Sequence, residues 1–190
     1  MKTLNLILVS ILTHGICSIS SLADSYPAYR EQIQLIEQSI IDRTSTSDLF
    51  GVTNFLALYR EPKSSLSNAI SFLKDRSQSS AAKMIVIYSV QRLPLNEYLA
   101  FERQLLILAR EKAITREFFN KAIFPGLNWN VELQKHYKLR RVRNLLKELK
   151  RSTILDNGNK AYINEILSGK AGADVDDLEE AGQLPKRNNL

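Results

Sequence analysis

The chain has 190 residues, 44% of them hydrophobic and 24% charged, and carries a formal net charge of +6. That composition describes a globular chain large enough for one domain with a substantial core, and it excludes wholesale disorder, a collagen-like repeat and a disulfide-stapled miniprotein. Seven glycines and five prolines are few, which favours long helices over a turn-dense β-sandwich.

Residues 1–23 read as a secretory signal. Lys2 supplies a short positive start, Leu4 to Leu12 (LNLILVSIL) an apolar stretch, and Ser21-Leu22-Ala23 small residues at the −3 and −1 positions of a cleavage site before Asp24. The apolar stretch is well short of the roughly 20 residues that a membrane-spanning helix needs. A buried N-terminal helix is the alternative, and the polar segment that opens at Asp24 argues against it. Cys17 is the sole cysteine and follows Ile16 rather than a small residue, so no lipid anchor is expected. After cleavage the chain holds no thiol for a disulfide, a nucleophile or a metal site. A periplasmic or secreted location follows from this reading.

From Asp24 onward the chain reads as helices punctuated by prolines. Tyr29, Ile33, Ile36, Ile40 and Ile41 recur at helical spacing between Pro27 and Arg43. Thr44 to Ser47 form a polar break, and a second helix is expected from Asp48 to Glu61, ended by Pro62. Ser64 and Ser65 open a third with Leu66, Ile70 and Leu73 as its stripe. The fourth, Ala81 to Arg92, has a β-branched centre (Met84 to Tyr88) that also suits a strand. A buried helix is preferred, because its lead-in carries no turn chemistry and no partner strand is evident. Pro94 starts the longest helix, to about Ala113, with Tyr98, Phe101, Leu105, Leu108 and Ala109 as its apolar face.

Thr115 caps a very apolar helix that Pro125-Gly126 is expected to stop, leaving Trp129 in a turn between helices. A short helix then leads into Lys138–Arg151, whose stripe is Leu139, Val142, Leu145, Leu146 and Leu149. The turn signal Asp156-Asn157-Gly158-Asn159 precedes a last helix, about Lys160 to Ser168, closed by Gly169 as its C′ residue. From Lys170 the chain is acidic, Asn-rich and without periodicity, and a disordered tail is expected over 170–190. The expected architecture is a single all-α domain over 24–169, an irregular set of antiparallel helix pairs, HEAT-like at most, because no fixed repeat period is present.

Catalytic chemistry is thinly represented. There is no Gly-x-Ser-x-Gly elbow, Walker loop, His-Glu-x-x-His or Rossmann glycine pattern, and His136 is the one histidine beyond the signal. It reads as a surface residue in a basic stretch, although a hydrolase resting on it or on distant carboxylates stays open. Glu97 and Glu102 lie five residues apart on one helix, about 140° around its axis, so they do not share a face. The acidic group Asp174, Asp176, Asp177, Glu179 and Glu180 lacks the spacing of a calcium loop. No catalytic residue, cofactor or metal site is assigned.

Charge is where the sequence is distinctive. Lys135 to Arg151 carries eight basic side chains against Glu148 alone, a local net of +7. The apolar stripe claims one face of that helix, so the cations crowd the other. Such a face suits an acidic protein, phosphates or anionic lipid headgroups, and export argues against nucleic acid. Arg140, Arg141, Arg143 and Lys147 are the candidate contacts. Trp129 reads mainly as a core anchor and secondarily as a binding residue. Homodimerisation also stays open, given the number of apolar stripes.

With its signal, the helical block Ala81–Arg151 and the segments Leu93-Pro94-Leu95 and Phe124-Pro125-Gly126-Leu127-Asn128-Trp129-Asn130, the chain resembles the periplasmic immunity proteins of bacterial contact-dependent and type VI secretion systems. The resemblance implies a non-enzymatic helical protein that binds and occludes a cognate toxin, and it assigns no individual residue. A basic adaptor for envelope polyanions or anionic lipid headgroups is the alternative.

Overall fold

The computed structural model describes residues 25–41 and 49–169, and among the described residues all regular structure is helical. The expected signal at 1–23 and acidic tail at 170–190 lie outside the described residues, as does the side chain of Trp129.

Helix α1 (Tyr26–Ile41) buries Tyr29, Ile33 and Ile36, spaced four and three apart as one helical face requires. The single helix expected from Asp48 is instead a 3₁₀ turn, Leu49–Gly51, followed by α2 (Thr53–Arg60). Gly51 is a poor helix former, and Val52 takes an extended backbone (φ −94°, ψ 111°) that places its side chain in the core. Pro62 ends α2 as expected, with Glu61 pushed out of the helical region. Helix α3 (Leu66–Lys74) turns Ala69, Phe72 and Leu73 inward, while Leu66 and Ile70 of the expected stripe sit half-buried at its edge.

Helix α4 (Ser80–Ser89) resolves the strand-or-helix ambiguity. Ser79 caps it, its hydroxyl accepting the Ala82 N–H at 2.9 Å, and Ile85, Val86 and Ile87 are all buried. It packs against α1, α2, α3 and a later helix, α6, so it meets core on most sides. Three consecutive β-branched residues are what such a position selects, and they obscure the helical period in the sequence.

Helix α5 (Leu95–Arg110) follows Pro94 and ends in a turn where Lys112 has a left-handed backbone, φ 57°. There Ala113 N–H donates to Leu108 O and Lys112 N–H to Ala109 O, a Schellman closure that most often uses glycine. Helix α6 (Arg116–Trp129) is capped by Thr115 as expected, its hydroxyl accepting the Phe118 N–H at 3.1 Å.

Pro125 does not stop α6. The helix continues to Trp129, so Trp129 is its final residue rather than part of a turn. Pro125 removes one N–H that would have bonded Lys121 O, a local loss of about 3 kcal/mol in an exposed helix. Phe118, Phe119, Ile123 and Leu127, all buried on both sides of the proline, hold the axis in place regardless.

Asn130 caps the one-turn α7 (Val131–Lys135), its side-chain oxygen accepting the Leu133 N–H at 2.7 Å. Helix α8 (Arg140–Arg151) buries Val142, Leu145, Leu146 and Leu149, while Leu139 stays 39% exposed ahead of it. The expected turn at Asn157-Gly158 is already helical: α9 (Asn157–Ser168) starts three residues early because Asp156 accepts the Asn159 N–H at 2.7 Å. Gly169 closes α9 with φ 77°. Helices α8 and α9 pair with each other, α8 rests on α5 and α9 on α6, and one continuous core joins them to α1–α4.

Candidate functional site

The residues that sequence chemistry offered for catalysis do not converge. Glu97 is held by Lys63 at 3.0 Å, and this exposed pairing keeps its carboxyl below the usual range. Glu102 is only 2% exposed. His136 Nε2 lies 3.7 Å from Glu132 at the surface. Among the described residues no group of three or more His, Cys, Asp or Glu side chains is placed to hold a metal ion. No described helix is long and apolar enough to cross a membrane.

What the fold does assemble is a basic face. With about 100° of rotation per residue, Arg140, Asn144, Lys147 and Arg151 fall within about 60° of each other on α8, directly opposite the buried Val142–Leu146–Leu149 stripe. All four are exposed. Helix α5 extends the face: Arg110, Asn144, Lys147, Glu148 and Arg151 line one shallow groove between the two helices, about 500 Å³ in volume. Glu148 is the lone acid in it, and Arg103 of α5 already engages that carboxylate at 3.5 Å. Arg103, Ile107 and Arg110 follow one another at helical spacing, and Ile107 is a large apolar side chain 37% exposed between two arginines.

The four candidate cations therefore have different roles. Lys147 lines the groove, and Arg140 lies on the same face of α8. Arg141 is exposed about 100° away around the helix. Arg143 is turned aside, its guanidinium donating to Leu167 O at 3.1 Å and so satisfying a carbonyl at the C-terminus of α9. Of Trp129 only the backbone, at the end of α6, is described.

Comparison of the chain with protein-family models, curated proteins and solved structures finds no match.

Two features of α5 escaped the sequence reading. The first is the contribution of Arg103, Ile107 and Arg110 to the basic face, which depends on α5 and α8 being neighbours. The second is a buried polar cluster. Tyr98 donates to Glu102 Oε1, the other carboxyl oxygen has no partner, and burial pushes the Glu102 pKa up to about 7. Gly126 of α6 rests directly on this pair, where any side chain would overlap the Tyr98 hydroxyl. Nearby, Asn130 donates to Gln91 O at 2.7 Å and Tyr137 to Leu127 O at 2.5 Å, tying the α4–α5 junction to α6 and α7.

Proposed function

We propose that this chain is a non-enzymatic, exported binding protein that docks an acidic protein surface onto the α5–α8 face. The observation that carries the reading is the exposed, apolar Ile107 between Arg103 and Arg110 on α5, next to the groove that Arg110 shares with Lys147 and Arg151. An apolar centre within a charged rim is the anatomy of a protein interface. Phosphates would need cations and no exposed aliphatic anchor, and a single isoleucine gives a membrane little apolar area to bury. The biological form of this reading is an immunity protein that occludes a cognate toxin, sterically through Ile107 and electrostatically through the surrounding cations.

The test is protection. Cells lacking the chain are challenged by toxin-armed neighbours and complemented with the wild type or with Arg110→Glu, Lys147→Glu and Arg151→Glu combined. The reading expects wild-type complementation to restore survival and the charge-reversed variant to fail while still folding. Equal survival with and without the chain overturns the immunity role. Binding of the wild type to anionic vesicles, with no protein partner, supports the polyanion adaptor instead.

A further inference from the structure

A second cleft, about 370 Å³ in volume, lies where the N-termini of α4 and α6 meet the turn that ends α5. It shares no lining residue with the α5–α8 groove. Three cations line it, Arg76, Lys83 and Lys112, and no carboxylate does.

Lys83 is the decisive residue. It is only 7% exposed, yet it lines the cleft, and among the described residues its side chain makes no hydrogen bond and no ion pair. Burial lowers its pKa, and the charge of Asp75 offsets this only in part. Asp75 is the acid whose charge reaches it, but that carboxylate is already taken. It accepts from Ser77 N–H at 2.9 Å, Ser77 Oγ at 2.7 Å, Gln78 Nε2 at 2.8 Å and Tyr26 OH at 3.0 Å. Asp75 offsets part of the cost of burying this cation but gives it no hydrogen bond, and an anion in the cleft supplies one.

The backbone around Lys83 is arranged for the same ligand. Ser79 caps Ala82 N–H and Thr115 caps Phe118 N–H, which leaves the first amides of both helices without intrahelical acceptors at their positive ends. The one acid in the first turn of α6, Glu117, is paired with Lys121 at 2.8 Å. Arg76 donates to Lys112 O at 3.4 Å, which keeps the two cations on the cleft rim. Ala113, Ile114 and Phe118 supply an apolar wall on one side.

We propose that this cleft binds a phosphate-class oxyanion, free or as the terminal group of a small monoester, with Lys83 as its buried counter-charge and Arg76 and Lys112 on its rim. The inference is independent of the docking face.

Calorimetric titration of the full chain with inorganic phosphate and with glycerol 3-phosphate tests it, with glycerol and chloride as blanks. Saturable binding is expected, and Lys83→Met, which keeps the length of the stem, weakens it by about tenfold or more. Lys112→Gly keeps the left-handed turn, removes a rim cation and weakens binding about threefold or more by the same logic. Arg60→Gln, exposed at the end of α2 and lining neither the cleft nor the α5–α8 groove, leaves phosphate affinity unchanged. Tighter binding of the monoester assigns the apolar wall to an organic substituent, and equal binding assigns the cleft to free phosphate. Absence of phosphate binding by the wild type overturns the site, as does wild-type affinity in Lys83→Met. Should Lys83→Met fail to fold, undiminished phosphate binding by Lys112→Gly overturns it equally.

Discussion

At the scale of single residues, the most constrained contact is Gly126 against Tyr98 and Glu102. An alanine there gains about 1 kcal/mol of helix propensity. It also drives a methyl group into a fully buried tyrosine that has no room to retreat, and overpacking of this kind costs about 1–3 kcal/mol or more. Gly126→Ala is therefore expected to destabilise by up to about 2 kcal/mol net, read from urea denaturation midpoints at constant m-value. A rise in the midpoint removes the close approach as the reason for glycine. Glu102 sets a pH dependence in the same place. Its folded pKa of about 7 lies above the ordinary 4.5, so the unfolded chain loses this proton first as pH rises. The neutral carboxyl therefore contributes stability that is complete below about pH 4.5 and lost as pH climbs to about 7, up to about 3 kcal/mol for a shift of this size. Glu102→Gln flattens that part of the stability profile, and an unchanged slope between these pH values rules Glu102 out as its source. The sequence contained the signal for its burial. Tyr98, Phe101, Glu102, Leu105 and Ala109 share one helical face, and Glu102 sits inside that stripe rather than beside it.

At the scale of elements, local chemistry made most boundaries legible. Pro62, Pro94, the Thr115 cap and Gly169 each do in the fold what their side chains or missing N–H dictate. A proline inside a helix is a local penalty, whereas the continuation of α6 past Pro125 is decided by burial of four of its own large side chains against other helices. The early start of α9 was obscured in a similar way: Asn157-Gly158 is turn-like in isolation, yet the Asp156 cap one residue earlier wins. Element context also separates the arginines of α8. Arg143 closes the end of α9, so Arg143→Ala is expected to lose about 1 kcal/mol of stability through an unsatisfied Leu167 carbonyl. Arg140→Ala, on the exposed face, shifts the thermal midpoint by less than the equivalent of about 0.5 kcal/mol. Equal midpoints for the two variants remove the structural role given to Arg143.

At the scale of the whole molecule, the net charge of +6 says little, because two separate groups of cations have different surroundings. Those of the α5–α8 groove are exposed, with Ile107 exposed on the same face of α5 as Arg110; in the cleft one of them, Lys83, is buried. The density of charge on α8 was plain in the sequence, but the pairing of α8 with α5 and of α4 with α6 was not, since contacts between distant segments leave no periodicity to read. This division predicts how an acidic protein partner leaves and arrives. Charges on the rim act mainly on encounter, so Arg110→Gln, Lys147→Gln and Arg151→Gln together are expected to slow association about tenfold at low salt and to flatten its ionic-strength dependence. Ile107 acts after encounter, because an aliphatic group leaving water is felt in the bound state. Ile107→Ala is expected to speed dissociation about fivefold, near 1 kcal/mol, with association little changed. Surface plasmon resonance across salt concentrations separates the two effects. A partner whose association and dissociation rates ignore both sets of substitutions docks elsewhere on the molecule, and the α5–α8 face then has no part in its recognition.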